Sequence, residues 1–291
     1  MALHVYADLE QGSDAWMDLR CGMLTASVVG KLLTVNPPGA LDYDCPTCKA
    51  SAGSPCVSLT RKTPTTIKTY HEGRTVAALE NEANLPPTIS VADNDTSRAL
   101  TATLAAERVA GFTEDGYMSS DMWRGVESEP YARDLYSGHY EAVTECGFMV
   151  RTEPMPWDPN EVARPVDEEQ PTWSLGYSPD GLVGDDGLIE IKAPRSKTQL
   201  LTVVADEVPA HNMAQCQAGL LVSGRKWLDF VSFVGGMHIY VKRVLPDPMW
   251  FAAIEAACRT FETNAAALVD DYHKRVDGKP VAERIPTLEV I

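Results

Sequence analysis

The stretch Ser178-Pro179-Asp180-Gly181, followed by Gly187-Leu188-Ile189-Glu190-Ile191-Lys192, constrains this chain more than any other. Pro, Asp and Gly in succession set a turn, and the alternation after Gly187 sets a strand. Glu190 and Lys192 lie two apart and share one face of it, while Ile189 and Ile191 take the other. Two hard carboxylates held near each other, here Asp180 and Glu190, repel unless a cation neutralises them, and Mg²⁺ or Mn²⁺ is the usual solution. A lysine on the same face can orient a water or stabilise charge on a phosphate. These are the parts of a metal-assisted phosphodiester hydrolysis site. Read alone, the short pattern also allows a plainer account, in which Asp180 serves the turn and Glu190 and Lys192 form a solvated strand face.

Composition sets the class. With 291 residues, 44% hydrophobic and 23% charged, the chain is an ordinary globular protein with room for one sizeable core or two small ones. Its formal net charge of −16 excludes a polycationic nucleic-acid coat, but not an enzyme that holds nucleic acid in a local groove. No run approaches eighteen apolar residues, and MALHVYADLEQGSDAW lacks both a basic and an apolar leader region. Neither a membrane span nor a secretory signal is expected, which points to the cytoplasm. Seven cysteines without a signal suit a reducing compartment.

Along the chain the pattern is mixed α and β. Asp14 to Leu33 reads as helical, with Trp16, Leu19 and Met23 near helical spacing and Pro37-Pro38-Gly39 as the stop. Thr96 or Ser97 can cap a helix to about Ala110, and another should run from Gly125 to Ser137. Glu145–Arg151 alternates as a strand; 153–171, with five prolines, reads as a surface loop. Strands are expected around Trp173–Tyr177 and Leu188–Lys192, and a helix from Pro209 to about Val222. A hairpin around Gly235-Gly236 and a long amphipathic helix over 248–275 complete the pass. The order indicates an α/β sheet with flanking helices.

Residues 42–74 change character, being rich in Cys, Thr, Ser and Lys/Arg and poor in large apolar residues. They read as an insertion. Cys45-x2-Cys48-x7-Cys56-x14-His71 presents three thiolates and an imidazole, the ligand set of a closed tetrahedral Zn²⁺ site, in a segment too polar to order itself without metal. Free cysteines in a disordered loop are the plainer alternative. Five cations (Lys49, Arg61, Lys62, Lys68, Arg74) stand against three acids (Asp42, Asp44, Glu72), which motivates the expectation that the insert touches DNA or directs substrate entry, beside the alternative of a purely structural module. Further cations gather around Lys192, Arg195, Lys197, Arg225 and Lys226, and the other four cysteines read as buried packing thiols.

Four colinear blocks resemble one family. GSDAWMDLRCGMLTAS, RGVESEPYARDLY, SPDG…IEIKAP and HNMAQCQAGLLVSGRKW are similar to the successive blocks of the phage lambda exonuclease/YqaJ-type viral recombinases, a branch of the PD-(D/E)XK nucleases. CPTCKASAGSPC…HEGR resembles a short zinc-binding module of actinobacterial and actinophage proteins. The resemblance implies one restriction-endonuclease-like nuclease domain over 1–291, a central mixed sheet flanked by helices, carrying the module at 42–74. It implies that Asp180, Glu190 and the Ile191 carbonyl bind Mg²⁺ or Mn²⁺, with Glu129 near a second ion. Lys192 would position the attacking water, and Gln215 would orient it or the substrate. Arg20 and Ser27, with Thr25, would hold a 5′-terminal phosphate, a role suited to the guanidinium fork. A further phosphate-contacting cation has no clear match; Arg195 and Lys197 are the candidates.

Plainer readings stand beside these. Glu129 can serve the helix dipole, Gln215 and Gln217 can be surface amides, Arg20 can pair with Asp14 or Asp18, and Trp16, Tyr131 and Tyr136 can be packing residues. The implied activity is 5′→3′ resection of double-stranded DNA ends by two-metal hydrolysis, in a ring-shaped homotrimer working with a single-strand annealing protein or recombinase. The alternatives are an endonuclease, a Cas4-like nuclease, or an inactive zinc-containing DNA-binding protein.

Overall fold

The computed structural model describes residues 2–60, 63, 65–81, 85–113, 119–156 and 170–284. In chain order the elements are β1 (Ala2–Tyr6), α1 (Asp14–Arg20), α2 (Ala26–Val29), β2 (Leu33–Asn36), α3 (Glu72–Glu80), β3 (Thr88–Val91), α4 (Asp95–Ala110), α5 (Ser120–His139), β4 (Val143–Thr144), β5 (Phe148–Pro154), β6 (Thr172–Tyr177), β7 (Gly181–Val183), β8 (Gly187–Lys192), α6 (Ser196–Ala205), α7 (Ala210–Ser223), β9 (Trp227–Ser232), β10 (Tyr240–Val244) and α8 (Pro248–Val276).

The mixed sheet runs β10-β9-β8-β7-β4, with β8 and β9 parallel and the other pairs antiparallel. A second sheet, β1-β5-β6, is antiparallel throughout. Alternation along β8 divides two cores. Leu188 joins Leu228 and Phe230 in the larger, under α7 and α8; Ile189 and Ile191 join Val231 and pack on Ala132 and Tyr136 of α5. The central strand is thus covered by helices on both faces, the expected α/β arrangement.

Local chemistry corrects several expectations. The helix expected over 14–33 is broken. Ser13 caps α1 by accepting from the Trp16 N–H, the chain turns at Gly22 with φ +65°, and after α2 and one 3₁₀ turn it leaves as β2. Only the second piece enters the larger core, through Leu24, Ala26 and Val29, whereas α1 buries no residue fully. Helix α4 is capped by Asn94, whose side chain accepts from the Ser97 N–H while Ser97 Oγ accepts from the Asn94 N–H; Thr96 takes no part. β5 begins at Phe148 rather than Glu145 and buries Met149 as well as Phe148 and Val150. β7 lies inside SPDGLVGDDG, a stretch that reads as turn-rich. The hairpin and long helix stand where expected, α8 opening with Pro248 behind an Asp247 cap. Most of the proline-rich loop lies outside the described residues.

β2 and β3 pair antiparallel, so the chain between them, which includes the cysteines, leaves and re-enters at one place. Among the described residues no helix is long and apolar enough to cross a membrane.

Candidate active site

The turn after β6 and the end of β8 bring the acidic residues together. Asp180 Oδ2 accepts from the Ile191 N–H at 2.6 Å, which pins the turn to the strand. The Asp180 carbonyl accepts from Arg133 Nε at 2.9 Å, and Arg133 also pairs with Glu129 one helical turn away. Glu190 is only 1% exposed, so the solvated-face reading fails. Its oxygens are held on both sides, by Lys192 Nζ at 2.6 Å and by the Tyr177 hydroxyl at 3.1 Å.

Glu129, Asp180, Glu190, Ile191, Lys192 and Gln215 all line one cavity of about 560 Å³. Burial, and then the Glu190 carboxylate, push Asp180 well above the ordinary carboxylate range. Burial also raises Glu129, against the pull of Arg133 and with a further push from Glu190. For Lys192 burial acts downward, but Glu190 and Asp180 outweigh it and hold the ammonium above its usual pKa. This all-oxygen donor set, in which the Glu190 charge raises both Asp180 and Glu129, fits a hard divalent cation, which would relieve the repulsion.

A second cavity of about 190 Å³ adjoins, lined by Trp16, Arg20, Thr25, Ser27 and Ser178 among others, and again by Gln215. Arg20 stacks on Trp16 with its guanidinium carbon 3.8 Å from the ring centre, and no ion pair to Asp14 or Asp18 forms among the described residues. Trp16 in turn donates from Nε1 to Ser178 Oγ at 3.1 Å, and the Thr25 and Ser27 hydroxyls lie 3.1 Å apart. The hydroxyls and the guanidinium therefore meet in one polar recess, with Trp16 serving as the platform for Arg20. Gln217, by contrast, is committed elsewhere. Its amide donates to the Leu245 carbonyl and accepts from the Asp247 N–H.

Arg195 and Lys197 do not line either cavity. Arg195 is exposed and pairs at 3.1 Å with Asp121 at the cavity rim. Arg225 and Lys226 serve the far end of β8, bonding Gly184, Gly187 and Asp186; five residues of strand, about 16 Å, separate them from Lys192. Among the lining residues that the sequence did not single out are Arg124, His211 and Asn212. Arg124 Nε donates to the Ala193 carbonyl at 3.0 Å and Nη1 to Asp121 at 2.7 Å. Its position five residues before Glu129, in the same block, was the available signal.

In the insert, the ligand atoms of Cys45, Cys48, Cys56 and His71 all lie within 4.8 Å of one another. Among the described residues this is the one such group; the active-site carboxylates share a cavity without gathering comparably. Tetrahedral zinc with bonds of about 2.1–2.3 Å needs ligand atoms about 3.5–3.8 Å apart, and Cys45 Sγ and His71 Nδ1 are at 3.5 Å. Burial tends to raise the Cys45 thiol, but N–H groups of Cys48 and Thr47 directed at the sulfur prevail and hold it at about 6, ready to ligate as thiolate. The expectation of an insert full of DNA-facing cations needs correction at Arg74, which is fully buried. Lys49 and Lys68 are exposed; Arg61 and Lys62 lie outside the described residues. Of the four isolated cysteines, Cys146, Cys216 and Cys258 are buried as expected, and Cys21 is half-buried with its thiol on the Glu107 carbonyl.

Residues 91–226 match the model of the YqaJ-like viral recombinase domain, and 26–88 match that of a "putative DNA-binding phage zinc finger domain". The chain carries a YqaJ-like viral recombinase domain and a phage zinc finger domain. The YqaJ match contains Glu129, Asp180, Glu190, Lys192 and Gln215, whereas Arg20 precedes both matches. The fold is similar to the crystal structure of an alkaline exonuclease, LHK-Exo, from Laribacter hongkongensis. The TM-score is 0.56 at 24% identity, covering 91% of this chain and 98% of that one. A second structure, LHK-Exo in complex with dAMP, matches with the same values. No curated protein matches the chain.

Proposed function

We propose that this protein is a Mg²⁺-dependent deoxyribonuclease that degrades double-stranded DNA from its ends in the 5′→3′ direction. The observation that carries the reading is that Gln215 lines both cavities, so a carboxylate–lysine site and an Arg–hydroxyl recess lie on either side of one side chain. A strand whose terminal phosphate sits against Arg20, Thr25 and Ser27 presents its next phosphodiester to Asp180 and Glu190. LHK-Exo, an alkaline exonuclease, has been crystallised in complex with dAMP, a mononucleotide of the class expected as product here.

Asp180, Glu190 and the Ile191 carbonyl, with Glu129, would hold Mg²⁺ or Mn²⁺, and bound ions of this kind stabilise charge on the attacking and leaving oxygens. Lys192, fixed by Glu190, orients the water. Gln215 aligns water and strand, and Arg124 contributes positive charge at the rim. Water oxygen bonds to phosphorus, the bond to the 3′ oxygen breaks, and that oxygen takes up a proton. The shortened strand again ends in a 5′ phosphate, so the same recess is refilled after every step. Zn²⁺ in the Cys3His group would hold the insert closed, making 42–74 a structural module on a nuclease spanning 1–291. The reading extends to a ring-shaped homotrimer and to a single-strand annealing protein that receives the 3′ strand.

The test is digestion of 5′-phosphorylated linear duplex with Mg²⁺, beside covalently closed circles and the Asp180→Ala variant. Linear duplex should be converted to mononucleotides and 3′ single strands while circles persist, and Asp180→Ala should be inert. Circles lost as fast as linear DNA would favour an endonuclease and overturn the reading. Native mass measurement gives the oligomer and the zinc content together.

A further inference from the structure

Arg74 lies in the first turn of α3, three residues after His71, and is fully buried. A guanidinium has five N–H donors, and here every one is engaged. Nε donates to the Tyr43 carbonyl at 2.8 Å. Nη1 donates to the Ser54 carbonyl at 2.7 Å and to Cys56 Sγ at 3.4 Å; Nη2 donates to the carbonyls of Leu41 at 3.2 Å and Ser51 at 3.0 Å.

The hydrogen bonding is complete, yet the charge is not balanced by any acid: among the described residues Arg74 pairs with no carboxylate. Carbonyl dipoles satisfy the donors but carry no net charge, and a buried cation without a counter-charge is strongly unfavourable. The Tyr70 ring, 5.8 Å away, offers only a weak quadrupole. The negative charge that Arg74 touches directly is the cysteine cluster's, through Cys56, whereas Asp42 and Asp44 of the same segment are exposed and accept from the Gly39 and Ala52 N–H groups. Three thiolates, a neutral imidazole and a divalent ion leave one net negative charge, the amount a single guanidinium cancels. Protonated thiols or a disulfide would leave the buried cation uncompensated.

We propose that Arg74 is the charge-compensating residue of this metal centre, a proposal that rests on the cluster holding Zn²⁺. Its contact with Cys56 Sγ neutralises the centre, and its four carbonyl contacts tie the chain at Leu41–Ser54 to the helix that carries His71. Arg74 is therefore a positioning residue for zinc and is withdrawn from DNA. The carbonyl contacts explain why lysine, with three donors on a point charge, is an incomplete substitute.

The experiment compares the full chain with Arg74→Lys and Arg74→Gln, reading zinc content by elemental analysis and zinc release to a chromogenic chelator under reducing conditions. Arg74→Gln should lose zinc at least about tenfold faster, the usual scale for outer partners of a metal site. Arg74→Lys, which keeps the charge, should fall between it and the parent. A role confined to tying loops predicts that the two variants release zinc equally fast, since neither can make five hydrogen bonds. That result, or zinc held by Arg74→Gln as by the parent, overturns the proposal.

If the variants do not fold, the parent protein still decides. Arg74 should resist modification by phenylglyoxal while zinc is present and react once zinc is removed, read by peptide mass mapping. Protection that survives zinc removal would overturn the proposal. Parent protein that contains no zinc and takes up none would overturn the metal centre itself, and Arg74's role with it.

Discussion

Gly22→Ala tests how the end-binding recess is built. Gly22 sits between α1, which carries Arg20, and the segment carrying Thr25 and Ser27. Its backbone is held from both sides: the N–H donates to Glu107 at 2.8 Å and the carbonyl accepts from Arg108 Nε at 2.8 Å. Alanine would meet two penalties. The left-handed φ of +65° costs about 1–2 kcal/mol for a residue with a Cβ, and that Cβ would lie 2.3 Å from Arg108 Cγ. Arg108 cannot swing aside freely, because its terminal nitrogens are bound to both oxygens of Glu262 on α8. Overpacking of this kind adds about 1–3 kcal/mol, for a total of roughly 2–5 kcal/mol. Gly111→Ala is the internal control, because Gly111 has φ +74° and an added Cβ there would meet nothing within 4 Å, leaving only the conformational penalty of about 1–2 kcal/mol. Urea unfolding should separate the two variants by the packing component. Rates on 5′-phosphorylated against 5′-hydroxyl ends should converge in Gly22→Ala and stay apart in Gly111→Ala. Equal destabilisation of both would refute the packing argument, and an unchanged end preference in Gly22→Ala would refute the link between this turn and the recess.

Three further outcomes follow from the geometry. Asp180→Asn should lower turnover by about a hundredfold or more without lowering the melting temperature, because a carboxylate crowded by Glu190 is removed; a drop in both would mark Asp180 as structural. Arg124→Ala should raise KM for duplex ends about tenfold with kcat nearly constant, since Arg124 lines the cavity rim and does not touch the carboxylates; a kcat effect would place it nearer the reacting phosphate. Tyr136→Phe should cost about 1.5–3 kcal/mol by chemical denaturation, because the hydroxyl donates at 2.8 Å to Asp229, which is 3% exposed and, among the described residues, would keep Arg243 alone as a side-chain partner. Wild-type stability in that variant would show that Arg243 alone satisfies Asp229.

What could be read in the sequence was periodic or punctuated. β8 announced itself because its period of two places Leu188 and Glu190 in one layer and Ile189 and Ile191 in another; α8 did so through Pro248 and a long apolar stripe. The cysteine spacing gave the cluster because ligand type and separation are local facts. β1 gave no signal, since all five of its residues are exposed and only pairing with β5 makes it a strand. The break at Gly22 was hidden because glycine is tolerated inside a helical pattern, and here Glu107 and Arg108, more than eighty residues away, decide against the helix. Arg74 looked like surface charge for the same reason: its burial depends on four carbonyls from a segment that no pattern links to it. Arg124 joined the cavity only because α5 crosses the end of β8.

On the proposed function, the segment Gly176 to Asp180 is what would join end recognition to hydrolysis. Gly176 bridges to Thr25 and donates its N–H to the Leu24 carbonyl at 2.9 Å, so the wall of the recess is hydrogen-bonded to β6. Tyr177 holds Glu190 from beneath, and Ser178 accepts from Trp16, which carries Arg20. Two residues later comes Asp180, fixed in turn by the Ile191 N–H. A recess residue and the carboxylate proposed to bind metal are therefore only two residues apart, at most about 7 Å of chain, within the short turn that joins β6 to β7. On the proposed function, this covalent spacing acts as the ruler that places the first phosphodiester at the carboxylates once the terminal phosphate is seated. Lengthening the segment by one residue after Pro179 would shift Asp180 against the recess and break its bond to Ile191. Both the chemistry and the end preference should then be lost together, whereas changes confined to Arg20 should cost the preference first.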